Sequence, residues 1–139
     1  MDSDVEAVAR QAIDAINDRT LSLRAQQLLD PHMVRHDLVQ LFADSEGSSG
    51  GADFVRMISG AMPDFRLDIE DIFGAGDRVA IRLRMSGTHT GQPLLGRRST
   101  GNSLSASAVF IYRIEDGRIA EAWQMIDGLA FFRLAGLLN

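Results

Sequence analysis

The chain has no cysteine and no lysine; all 14 of its basic residues are arginine. Without cysteine there is no disulfide, no thiol nucleophile and no thiolate metal site. Without lysine there is no Schiff base, no anchor for pyridoxal phosphate and no phosphate-loop lysine, so "GSSGG" at 47–51 is not such a loop. Only three histidines are present. His32 and His36 stand four apart, but Pro31 and Val34 disfavour a helix there. In a strand that spacing spans about 13 Å, too far for shared ligation. No metal and no cofactor are expected. No apolar run reaches the ~18 residues of a membrane span. The net charge of −5 lacks the basic footprint of a nucleic-acid module. The opening "MDSDVEAVAR" is acidic and does not follow the basic-then-apolar layout of a secretory leader. The expectation is a cytoplasmic protein with neither nucleic acid nor membrane as partner.

What is present suits one domain over residues 1–139, with 45% hydrophobic and 24% charged residues. Val5, Val8, Ala9, Ala12, Ile13 and Ile16 recur at helical spacing and predict a helix over about 3–18, capped by Ser3. "LSLRAQQLL" reads as a short helix stopped at Asp30-Pro31, and "MVRHDL" as a strand. "ADSEGSSGG" is a loop, and "ADFVRMISGAM" resumes helical spacing through Phe54, Met57, Ile58 and Met62 until Pro63. From Phe65 the period changes to two. "FRLDIEDIF", "RVAIRLRMSGTH", "SLSASAVFIYRI" and "IAEAWQMID" alternate as strands, and Asp116-Gly117 supplies a hairpin turn. A final helix covers about 128–137. Helices, then an antiparallel meander, then a closing helix make an α+β fold, with the first helix against the concave side of a sheet of four or more strands.

Strand parity organises the candidate site. Ile119, Glu121, Trp123, Met125 and Asp127 share one face by count. Parity therefore predicts Asp127 at the edge of a dry pocket, where the loss of water raises a carboxyl pKa and suits it to proton transfer. Asp127 also directly precedes the last helix and is a good N-cap type, so capping is an equal alternative. His89 extends the face of Val79, Ile81, Leu83 and Met85. It lies either at a pocket wall or in the "GTHTG" turn, bonding the loop backbone. His36 shares parity with Val34 and Leu38 and points inward on the same count. Trp123 is a core residue or a ligand platform. Tyr112 serves structure or donates a hydrogen bond to a ligand. Arg78, Arg82 and Arg84 form a solvated outer face or a subunit interface, the latter giving a homo-oligomer, a dimer or a tetramer. Arg97 and Arg98 sit in a loop, and the parity of Ser103, Ser105 and Ser107 is open.

The stretches "AMPDFRLDIEDIFGAGDRVAIRLRMSGTHTG" and "IYRIEDGRIAEAWQMIDGLAFFRLAGLL" resemble the SnoaL-like polyketide cyclases of the NTF2-like superfamily. The resemblance covers about residues 50–138. It rests on Pro-Asp before an alternating strand, Gly-Asp-Arg-Val, Gly-Thr-His-Thr-Gly, Glu-Asp-Gly-Arg-Ile and Trp-x-x-x-Asp. It implies a cone-shaped fold whose strongly curved sheet wraps helices around a deep apolar pocket. It also implies intramolecular aldol closure of an aromatic polyketide ring without metal or cofactor. In that likeness Asp127 is the acid–base group, with His89 orienting it or bonding the developing oxyanion. His36 holds polar groups of a hydrophobic small-molecule substrate, and Trp123, Met125, Leu83, Met85 and Tyr112 line the ligand. Gln124 departs from the His, Asn, Asp or Gly that the family often places after the tryptophan. A non-catalytic binding protein and a hydroxylation-type enzyme of the same fold are the alternatives, since fold alone does not choose a reaction.

Overall fold

The computed structural model describes residues 2–37 and 56–137. The loop expected at 43–51, Leu38 and Phe54 lie outside them. In chain order the described elements are α1 (Asp2–Asn17), α2 (Leu21–Leu28), β1 (Leu29–Asp37), α3 (56–61), β2 (Arg66–Ala75), β3 (Arg78–Thr88), β4 (Ser103–Glu115), β5 (Arg118–Ile126) and α4 (Gly128–Leu134). Because α1 is already helical at Asp2, Ser3 lies in its first turn rather than before it.

The strands form one curved sheet in the order β1-β5-β4-β3-β2. Neighbours from β2 to β5 pair antiparallel, as the alternating stretches predict. β1 pairs parallel with β5, so the sheet is mixed rather than an antiparallel meander throughout. A parallel neighbour needs a long crossover, and that pairing leaves no local mark in sequence.

The apolar stripe of α1 is Val5, Ala9, Ala12, Ile13 and Ile16, all buried with Leu67, Val79, Ile81 and Leu83 on the inner face of the sheet. The helix sits mainly over β2. Its end is tied there by Asn17, whose amide donates to the Leu67 carbonyl and whose oxygen accepts from the Leu67 N–H, both at 2.8 Å. One side chain thereby satisfies two backbone groups of an edge strand, which would otherwise be open to pairing with another chain.

Two of the sequence motifs are bonded to each other. The Asp64 carboxylate accepts from the Thr88 N–H at 2.7 Å and from its hydroxyl at 3.0 Å. The Pro-Asp turn before β2 thus clamps the end of β3, where the Gly-Thr-His-Thr-Gly turn begins. The Thr88 N–H bond is the main cause that holds the Asp64 carboxyl below its ordinary range. A depressed carboxyl stabilises the fold above its unfolded pKa and loses that contribution as pH falls through the folded value. Because Asp64 is exposed and solvent screens its charge, Asp64→Asn should cost about 0.5 kcal/mol at neutral pH. The difference from wild type should shrink below about pH 4. Urea unfolding at pH 7 and pH 3 checks this, and an equal penalty at both would remove the charge from the account.

Candidate functional site

The inner face of the sheet is read row by row from strand register. Arg35, Ala122, Tyr112 and Val79 stand side by side across β1, β5, β4 and β3. The adjacent row holds Gln124, Phe110 and Ile81, and the next holds Ile126, Ala108 and Leu83. Tyr112, Phe110, Ala108, Leu83 and Met85 are buried there. Leu83 and Met85 thus lie on the inner face, as their alternation predicts. With α1 over the β2 side, the inner surface of β4, β5 and β1 is where polar side chains gather. Gln124 hydrogen-bonds the Tyr112 hydroxyl, and the Arg35 charge acts on it. Burial pushes that hydroxyl far above the ordinary tyrosine range, against the opposing pull of Arg35 and Gln124, so it stays a neutral donor.

Trp123 and Met125 are on the other face. Trp123 pairs with Ile111 and His36, Met125 with Val109, and Met125 is 48% exposed. The predicted grouping of Trp123, Met125 and Asp127 inside one pocket is therefore corrected. The cause is a β-bulge. Arg113 pairs with Glu121 but Ile114 pairs with Ile119, which makes Ala120 an extra residue in β5. Ile119 and Trp123 share parity by count, yet the bulge turns Ile119 into the core and leaves Trp123 outside.

His36 is corrected with them, since it lies beside Trp123 on the outer face. Its ring stacks on the indole with centroids 5.2 Å apart, while Arg78 lies 4.9 Å over the indole from another side. The His36 Nε2 meets Glu121 at 2.8 Å, and Arg113 Nε donates to the same carboxylate at 3.0 Å. Arg113 first, then His36, holds Glu121 below the usual carboxylate range.

His89 occupies the turn of its alternative reading and is also completely buried. Its N–H donates to the Asn102 carbonyl, its carbonyl accepts from Gly101, and Nε2 lies 2.9 Å from the Gln92 carbonyl. A carbonyl only accepts, so Nε2 is the donor in this contact. Nδ1 is buried without a hydrogen-bond partner.

Asp127 is exposed and caps α4, with Oδ1 accepting from the Ala130 N–H at 3.3 Å. The dry surroundings that parity predicts for it are absent. The far end of α4 is held by the other histidine's turn: Thr100 donates to the Leu134 carbonyl at 2.6 Å, and Asn102 to those of Arg133 and Leu134. Asp127 and the His89 turn thus stand at opposite ends of a seven-residue helix, roughly 10 Å at 1.5 Å per residue. The expected contact in which His89 orients Asp127 is not formed. Of the remaining residues, Ser103, Ser105 and Ser107 face outward and Arg97 and Arg98 are exposed. Among the described residues no three His, Asp or Glu gather as metal ligands. No described helix is long and apolar enough to cross a membrane.

A family model described as SnoaL-like polyketide cyclase matches residues 6–133. The chain belongs to the SnoaL-like polyketide cyclase family. Solved structures agree with this SnoaL-like domain in fold. AclR of Streptomyces galilaeus, described as a candidate hydroxylase, is 25% identical with a TM-score of 0.83, covering 99% of this chain and 98% of its own. TsrD of Streptomyces laurentii is 25% identical with a TM-score of 0.82, covering 98% and 97%. A SnoaL-like protein of Jannaschia, 17% identical, reaches a TM-score of 0.84 over 99% and 95%. No curated protein sequence matches the chain. The NTF2-like α+β architecture follows from these likenesses together with the curved sheet.

The sequence-based site omits Arg35 and Gln124. One signal pointed to Gln124, its departure from the family's usual choices after the tryptophan. That position faces inward, while the tryptophan faces out. Arg35 carried no such signal: its strand is read from the sequence, but which of its residues stand beside Ala122 is fixed only by the parallel pairing with β5.

Proposed function

We propose that this SnoaL-like domain closes a ring in an aromatic polyketide-type substrate by intramolecular aldol condensation, without metal or cofactor. The family match over residues 6–133 supports this reading, and the acid–base group in it is taken to be Asp127, as the sequence resemblance implies. A carbon flanked by carbonyls loses a proton to the Asp127 carboxylate. The resulting carbanion forms the new C–C bond to a second carbonyl, whose oxygen becomes an alkoxide and takes the proton back. The methylene is already acidic, so most of the acceleration comes from holding the chain in a reactive fold. A hydroxylation-type reaction is the second reading, favoured by the likeness to AclR. Mass spectrometry after incubation with a polyketide-type ester separates them. Aldol addition gives a product of unchanged mass and new chromatographic retention, loss of water from it lowers the mass by one water, and hydroxylation, run in air with a reductase, adds the mass of one oxygen. Binding without turnover would mean a carrier protein.

The proposal includes a homo-oligomer built on the outer face. Phe73, Ala80, Ile111, Trp123 and His36 form one row across all five strands. Phe73 is 64% exposed and Val34 51%. Around the row lie both signs of charge, with Arg82 bonded to Asp71 and Arg113 to Glu121. An apolar strip with a mixed-charge rim suits a second copy of itself. Phe73→Glu combined with Met125→Glu should shift the mass in light scattering from oligomer to monomer while leaving the far-ultraviolet circular dichroism unchanged. A monomeric wild type would refute the interface.

A further inference from the structure

Arg35, Tyr112 and Gln124 come from three segments of the chain and meet on the inner face around the small side chain of Ala122. Arg35 and Tyr112 are the direct cross-strand neighbours of Ala122 on either side, and Gln124 is the next inward residue along β5. All three present N–H or O–H donors. A guanidinium carries five N–H groups, so it can serve a protein neighbour and a ligand together. Gln124 hydrogen-bonds the tyrosine hydroxyl. Phe110 lies tilted at 51° to the Tyr112 ring, with centroids 6.2 Å apart, and adds a flat apolar wall.

A buried tyrosine, an arginine and an amide beside an aromatic wall make a group of donors that an oxygen carrying partial or full negative charge would satisfy. We propose that Arg35, Tyr112 and Gln124 form an oxygen-binding subsite for the enol or enolate oxygen of a flat aromatic ligand. The subsite deepens the cyclase reading by placing the stabilising groups on β1, β4 and β5, apart from the proton carrier at the start of α4. Asp127 lies three to five residues further along the chain than Gln124 and Ala122, about 10–16 Å at strand rise, so in an aldol closure the subsite would hold an enol oxygen on a ring distant from the reacting carbon. It consumes no proton itself, because the tyrosine remains a donor throughout.

The test reads binding alone, so it does not depend on turnover. Two probes of one shape are titrated calorimetrically into the full chain: alizarin, which carries ionisable ring hydroxyls, and anthraquinone, which lacks them. Wild type should prefer alizarin about tenfold or more, the scale of a hydrogen bond to a charged group. Arg35→Met and Tyr112→Phe should each remove most of that preference while leaving anthraquinone affinity within about twofold. Arg35→Lys should restore part of it, since the charge remains. The absorbance of bound alizarin should shift toward its ionised form in wild type and not in Arg35→Met. Thermal melting checks that the variants are folded. Equal affinities for the two probes in wild type, or an undiminished preference in both variants, would overturn the subsite. Asp127→Asn should keep the preference, so failure of the acid–base assignment and failure of the subsite show up in different measurements.

Discussion

Asp127→Asn is expected to lower turnover of a polyketide-type ester by about 10²-fold or more, the usual scale of general acid–base help. Stability should hardly change. Asn is as good an N-cap as Asp, because its side-chain oxygen can accept the same Ala130 N–H. The substitution therefore removes the proposed proton carrier and keeps the cap. Asp127→Ala removes both. Its extra cost in stability should be about 1 kcal/mol or less, at the low end for caps, because the present bond is long at 3.3 Å and exposed. Chemical denaturation and initial rates on the same two variants separate the roles. If Asp127→Asn turns over like wild type, Asp127 is only a cap and another group moves the proton. Exposure does not by itself bar the role. A general base must reach its proton, and a bound flat substrate would itself remove water from the carboxylate.

The correction at Trp123 shows how far the sequence reaches. Periods of 3.6 and 2 identified α1, the four alternating strands and the closing helix, because each has one face in a core that the pattern must supply. Met85 and Leu83 were legible as inner-face residues for the same reason. The bulge at Ala120 was not legible. Ala is small enough to sit on either face of β5, and one extra residue reverses every side chain beyond it. Trp123 then reads as a core residue, since its size suggests burial and nothing local contradicts it. The outer face tolerates it because His36 stacks on one side and Arg78 on another. The His89 turn was open for a different reason. Its alternation with Met85 is real, but whether a strand-end histidine bonds its own loop depends on the loop's backbone path. Here that path is set by contacts to α3 and α4.

One of those contacts leads to the largest structural effect expected. Gly91→Ala should destabilise the domain by about 3 kcal/mol, the upper range for overpacking. A Cβ built on Gly91 would stand 2.0 Å from the Gly60 carbonyl oxygen, which is backbone and cannot rotate away. The contact is tight because the loop closes the end of α3. The Gly91 N–H donates to the Ala61 carbonyl at 3.0 Å and the Gln92 N–H to the Gly60 carbonyl at 2.8 Å. Moving the loop back by the needed ångström would break both bonds and draw Gln92, whose carbonyl holds the His89 ring, away from its place. Gly60→Ala is the informative neighbour. Its Cβ meets only the Gln92 side chain, Cγ at 3.4 Å and Cβ at 3.8 Å, and within a helix alanine is favoured over glycine, so it should be neutral or mildly stabilising. Gly96→Ala is the conformational control, with open space around it but φ at +75°, and should cost about 1 kcal/mol. Thermal melts of the three variants should rank Gly60→Ala highest, Gly96→Ala next and Gly91→Ala lowest, the last roughly 10 °C below wild type. If Gly91→Ala melts with Gly96→Ala, the loop yields easily, and the burial of His89 depends on something other than its closure against α3.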